Sequence, residues 1–236
     1  MDRSLSEIIA LSKRLSEELH EAVFSFSGII YDPLSYAWDN HEAFLHLSCR
    51  EGQRVLFVGM NPGPYGMMQT GVPFGEIDAV RSYLGIRGSV GRPEHESPLK
   101  PIEGMNVRRH EVSGRKFWQM AAGYGSKEEF FAVASVWNYC PLVFIDGSRN
   151  VTLPELCKED RRTVESICDR YLASAMAALG ISRAIALGRY AEKRLKAAGC
   201  TDVTVFPHPS PRSPSSTAFW DSGEALRRFR EAIGEA

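Results

Sequence analysis

No stretch of this chain approaches about 18 consecutive apolar residues, so nothing in it reads as a membrane span. A secretory signal is missing too, because Asp2, Arg3, Lys13, Arg14, Glu17 and Glu18 interrupt the apolar positions of the first twenty residues. Cysteine is scarce. The five that occur (Cys49, Cys140, Cys157, Cys168, Cys200) are odd in number, widely spaced and without a C-x-x-C pair. That excludes a disulfide frame and an iron–sulfur cluster and predicts reduced, mostly buried thiols. The expected setting is cytoplasmic, that of a bacterial-type chain without a targeting signal. Several catalytic signatures are absent. Gly66 is followed by Met67 and Met68 where a phosphate-binding loop needs Lys and Ser or Thr. Pro62 and Pro64 forbid the helix that a dinucleotide fingerprint opens into, and no G-x-S-x-G elbow occurs. The segment HEAFLH (41–46) imitates a zinc-protease helix, but its histidines are five residues apart. On a helix that turns the second about 140° away from the first. Metal chemistry and a serine nucleophile are unsupported, and no cofactor is expected.

What is present is ordinary globular material: 236 residues, 44% hydrophobic and 24% charged. The reading is one domain over residues 1–236, with residues 1–50 as an N-terminal helical extension packed on it. The net charge of −1 conceals an asymmetry. Residues 81–116 hold eight basic side chains against four acidic ones, a local +4 that leaves −5 for the rest. Such a stretch permits a polyanionic partner, although a solvated loop with surface arginines explains it equally well.

Periodicity orders the elements. Leu5, Ile8, Ile9, Leu15, Leu19 and Val23 recur at helical spacing behind a capping box, Ser4-x-x-Glu7. Buried strands are predicted over residues 54–59, 130–136, 183–187 and 203–206. Helices are predicted over residues 77–84, from a cap at Ser113 through Met120, over 158–179 and 190–198, and through Leu226, Phe229 and Ile233. Residues between the 77–84 helix and Ser113 read as a long loop. Apolar strands alternating with helices predict an α/β fold, a parallel sheet covered on both faces. Ligands of such folds sit beyond the carboxyl ends of the strands.

Three of those ends carry Asn61, Asn138 and His208. The first opens into GMNPGPYG (59–66), where two prolines and three glycines forbid helix and strand and make a rigid wall for a flat ligand. Asn138 offers a donor and an acceptor side by side, suited to the edge of an amide-containing ring, although an Asn there is more often a turn residue. His208 is fixed on both sides by Pro207 and Pro209, which holds its imidazole for charge stabilisation. Phe74, in GVPFG (71–75), is an aromatic that could stack on a base or simply pack in the core.

The segments GMNPGPYGM (59–67), QTGVPFG (69–75), NYCPL (138–142) and HPSPR (208–212) closely resemble those of the single-strand-selective monofunctional uracil-DNA glycosylases, in the same order. EVSG (111–114) followed by Phe117 and Trp118 is similar to that family's linking segment. The resemblance implies a three-layer α/β/α sandwich around a central four-stranded parallel sheet. It also implies hydrolysis of the N-glycosidic bond of a flipped deoxyuridine, by a monomer acting on single- and double-stranded DNA without metal or cofactor. Asn61 would position water, and His208 would stabilise charge developing on the base. Met60, Gly63, Met67, Phe74 and Asn138 would hold the base, with Gly63 leaving room beside C5 for 5-hydroxymethyluracil. Ser210, Pro211, Arg212 and Ser213 would meet DNA. Tyr65 stands where many members have Phe, and Ser213 where Asn is common. The alternative is a non-catalytic nucleobase- or nucleic-acid-binding α/β module, which would keep Phe74 and Asn138 but need neither Asn61 nor His208.

Overall fold

Residues 55–59 (VLFVG) have no polar side chain to turn toward water, and in the computed structural model they lie fully buried at the centre of the molecule. Residues 3–210 and 214–235 are described. Chain order runs α1 (Arg3–Glu21), β1 (Ile29–Tyr31), α2 (Pro33–Tyr36), α3 (Trp38–Ser48), β2 (Val55–Gly59), α4 (Met67–Thr70), α5 (Val112–Tyr124) and α6 (Lys127–Val133). It continues through β3 (Ala134–Asn138), β4 (Val143–Asp146), β5 (Arg149–Val151), α7 (Lys158–Leu179), β6 (Arg183–Leu187), α8 (Arg189–Ala197), β7 (Asp202–Phe206), α9 (Pro214–Asp221) and α10 (Glu224–Ala232). No helix among the described residues is long and apolar enough to cross a membrane.

The main sheet has the order β3-β2-β6-β7, all parallel. Successive side chains of a strand point to opposite faces. Leu56 and Val58 of β2, with Ala184 and Ala186 of β6, therefore meet Ile8, Leu15, Val164, Leu172 and Leu195 of α1, α7 and α8. Val55, Phe57, Ile185 and Leu187 face the opposite layer, where Phe117, Trp118, Phe130, Phe131 and Phe229 gather. This is an α/β/α sandwich with a four-stranded parallel sheet. None of the five cysteines is in a disulfide, and all but Cys157 are buried.

The predicted strand over residues 130–136 is corrected. Residues 127–133 are helix α6, and β3 begins at Ala134. The apolar run hid a capping box in which Ser126 and Glu129 satisfy each other's backbone amides. The predicted cap at Ser113 moves to Glu111, whose carboxylate accepts the Gly114 amide (2.5 Å). A second sheet, antiparallel β1-β4-β5, was not anticipated. Its strands are three or four residues long, too short to show alternation.

Candidate active site

The register of the central strands builds the site. The last residue of β2, Gly59, pairs with the last residue of β3, Asn138. Pairing runs on one step further, as Tyr139 N–H donates to the Gly59 carbonyl (2.9 Å) and Cys140 N–H to that of Met60 (3.0 Å). A side chain at position 59 would strike the Phe74 ring at 2.5 Å and Asn138 Oδ1 at 2.8 Å, so only glycine lets those two groups meet. Asn138 is 9% exposed, and its Nδ2 donates to Met67 Sδ (3.3 Å). Asn138, Phe74 and Met67, separate in the chain, thus meet at the sheet's carboxyl edge.

Phe74 does not stand free as a stacking platform. It is 7% exposed and lies stacked on Phe117, with ring centroids 5.1 Å apart. It is also the only non-glycine residue among those described with positive φ, at 53°. That conformation costs of order 1 kcal/mol and persists only where its surroundings enforce it. Here its carbonyl accepts from Trp118 Nε1 (2.9 Å) and from the Glu76 amide (2.7 Å). The packing at Gly59 holds the ring.

Gly63 and Gly66 both face Glu111. A Cβ on Gly63 would lie 3.5 Å from Glu111 Oε1, and one on Gly66 would lie 3.0 Å from its Cγ. Burial raises the Glu111 carboxyl above the ordinary carboxylate range, against the pull of donors from Gly114 and Ser113. Sequence reasoning read this residue only as part of the EVSG segment and gave the cap to Ser113, because Glu is not a favoured N-cap. The signal was its place immediately before the α5 periodicity.

Asn61 follows β2 and is half-buried, its Nδ2 near the Pro62 carbonyl at 3.5 Å. His208 follows β7, and its Cβ lies 3.6 Å from where a Cβ on Gly188, just past β6, would sit. Since β2, β6 and β7 are neighbours and parallel, both residues emerge on the same edge. Ser210 N–H donates to His208 Nδ1 (3.1 Å), and Ser216 Oγ donates to the His208 carbonyl. An accepting Nδ1 places the proton of the neutral imidazole on Nε2, which becomes a donor. Pro211, Arg212 and Ser213 lie outside the described residues.

The one grouping of possible metal ligands among the described residues is Glu76, Asp78 and His110. Glu76 is already engaged. Its Oε2 accepts the Asp78 and Ala79 amides (3.0 Å each), and its Oε1 faces His110 (2.5 Å) and Arg115 (3.6 Å). The near-miss histidines point apart as their spacing requires, with His41 buried and His46 exposed.

The model of the uracil DNA glycosylase superfamily matches residues 47–232. The chain is 41% identical over 238 residues to a single-strand selective monofunctional uracil-DNA glycosylase of Rattus norvegicus, covering 97% of this chain and 85% of that one. It is 40% identical over 229 residues to the Bos taurus protein of that name, covering 93% and 84%. A crystal structure of Pedobacter heparinus SMUG2 superposes with a TM-score of 0.60 at 17% identity over 94% of this chain and 98% of that one, a likeness of fold. On the extent of these matches, this chain belongs to the uracil DNA glycosylase superfamily.

Proposed function

We infer that this protein is a DNA-repair glycosylase that takes uracil out of the DNA stack and hydrolyses its N-glycosidic bond, leaving an abasic site. The observation that carries the mechanism is the meeting of Gly59, Phe74, Asn138 and Met67 at the sheet's carboxyl edge. Uracil's sugar C1′ and base edges are unreachable inside a stack, so the nucleotide must be flipped. Asn138, at the floor, presents an acceptor to N3–H and a donor to O4, a pattern that cytosine reverses. Phe74, backed on one face by Phe117, packs along the ring.

The C1′–N1 bond breaks with its electron pair passing to the base. Charge accumulates on O2, where the Nε2–H of His208 donates to it. Water adds to C1′, and the proton it loses neutralises the departing uracil anion. Asn61 holds that water by hydrogen bonds and, having no titratable group, positions it without acting as a base. The backbone of Met60 closes the same edge. Ser210 through Ser213 meet the strand, and Gly63 and Met67 leave space beside C5, where 5-hydroxymethyluracil fits. The protein acts as a monomer on single- and double-stranded DNA. The bovine and rat relatives carry single-strand selectivity in their names.

Asn61→Ala and His208→Ala should each slow single-turnover cleavage of a uracil oligonucleotide by about 10²-fold or more, with folding spared. Alkali reveals the abasic sites. Near-wild-type excision by either variant removes that residue from the mechanism. Binding of uracil DNA without any excision by the wild-type chain would return the reading to a nucleobase-binding module.

A further inference from the structure

Tyr65 belongs to the loop that joins β2 to α4, two residues from Gly63 and two from Met67. Its phenol gathers two cations from distant parts of the chain. Lys100 Nζ lies 2.5 Å from the hydroxyl oxygen and 4.7 Å from the ring centroid. Arg109 Nη1 donates to the same oxygen at 3.0 Å, with the guanidinium carbon 4.3 Å from the centroid. Because both touch one oxygen, the two charged nitrogens can be no farther apart than the sum of those distances. Among the described residues neither cation is ion-paired with a carboxylate.

Two like charges held this close repel each other unless an anion joins them. The framework nevertheless fixes Lys100. The Lys100 amide donates to the Ser97 carbonyl (3.0 Å), and its own carbonyl accepts from Tyr31 Oη (2.8 Å), which ties it to β1. Arg109 stands two residues before Glu111, the N-cap of α5. The phenol oxygen accepts from both cations, which leaves its own proton to donate outward. Three donors at one point suit the non-bridging oxygens of a phosphate.

We propose that Tyr65, Lys100 and Arg109 form a binding site for one DNA phosphodiester beside the flipped nucleotide. The assignment rests on the glycosylase reading for its partner and extends it to a site for the strand. Lys100 and Arg109 both come from the basic stretch, so this site gives part of its local charge of +4 a ligand.

The test is equilibrium binding of a single-stranded oligonucleotide carrying a hydrolysis-resistant 2′-fluorodeoxyuridine, by fluorescence anisotropy between 50 and 200 mM NaCl. Lys100→Met and Arg109→Met should each weaken binding by about tenfold and lower the slope of log K against log salt by roughly 0.7. Tyr65→Phe keeps both cations, so it should weaken binding by about threefold with the slope unchanged. A scan with single neutral methylphosphonates should find one linkage near the uracil whose neutralisation weakens the wild type. The Lys100→Met/Arg109→Met double variant should be indifferent to that linkage. Wild-type slopes in all variants, or an equal methylphosphonate loss in the double variant, would overturn the site. Stabilisation of the wild type by inorganic phosphate, with DNA binding untouched by the variants, would overturn it in favour of a free-anion site. Should a variant fail to fold in a thermal melt, the methylphosphonate scan on the wild type and on Arg109→Lys decides: a site at this phenol requires one sensitive linkage retained in both. Lack of uracil excision by the wild type would refute the glycosylase reading and leave these binding measurements interpretable.

Discussion

Gly63 shows how one residue's role is decided by what surrounds it. Its backbone lies outside the left-handed region, so no conformational demand requires glycine there. A Cβ is accommodated at ordinary contact distance from Glu111. On the proposed function, the missing side chain preserves room beside C5. Gly63→Tyr is expected to abolish excision of 5-hydroxymethyluracil while retaining part of the activity on uracil, measured in parallel on matched oligonucleotides. A hydroxymethyl can replace the hydrogen bonds of a displaced water, which a methyl cannot. Parallel loss on both substrates would show that the substitution disturbs the loop and not the substrate's C5 side. The sequence alone exposed this position through the resemblance. The neighbour that gives it meaning, Glu111, lies 48 residues away and is brought there by the α5 cap.

Short elements here are braced by buried polar side chains. α4, four residues long, carries Met67 and ends at Gly71, whose φ of 75° makes the turn. His41 of α3 donates from Nδ1 to the Gly71 carbonyl (3.0 Å), and its Nε2 is buried without a partner. Burial lowers the His41 pKa from 6.5 to about 4, opposed by that hydrogen bond. The folded state thus holds histidine neutral where the unfolded chain would protonate it. The associated stability is complete above the unfolded value and is lost as pH falls from 6.5 toward 4, by up to about 3 kcal/mol. His41→Gln keeps a donor and cannot titrate. Thermal melts from pH 7 to pH 4 should show its Tm falling less than that of the wild type. Equal acid sensitivity would mean that other groups control that limb. A second brace ties two helices of one layer to the sheet's edge: Arg194 of α8 meets Glu165 (2.9 Å) and Asp169 (3.5 Å) of α7, and Asp169 also accepts from Tyr139 Oη (2.8 Å), next to Asn138.

At the scale of the molecule, one strand serves both cores. Phe57 is fully buried, with ring centroids 5.2 Å from both Phe117 and Phe229. The neighbouring Leu56 and Val58 pack on the opposite layer. Phe57→Ala should cost about 3–5 kcal/mol through lost burial and the cavity left behind. For a chain of this length that lowers Tm by roughly 10 °C. A change of only a degree or two would mean that the aromatic layer collapses around the gap. The same rigid sheet presents the strand ends, so activity measured well below the lowered Tm should change less than stability does.

How much of this was legible follows from the range of each interaction. The apolar runs of β2 and β6, the periodicity of α7 and the proline–glycine loop are local patterns. Local patterns determined four parallel strands, two helical layers and a crowded carboxyl edge, and the motif residues on that edge could be named without coordinates. The strand beginning at Ala134 was misread because FFAV (130–133) looks the same in a buried helix as in a strand. Long-range proximity was not written in any one segment. The Gly59–Asn138 register, the Glu111 carboxyl beside Gly63, the buried rather than free Phe74, and the meeting of Lys100 and Arg109 on Tyr65 each join residues tens of positions apart. Only packing, which sets distances between segments that sequence patterns describe one at a time, could bring them together.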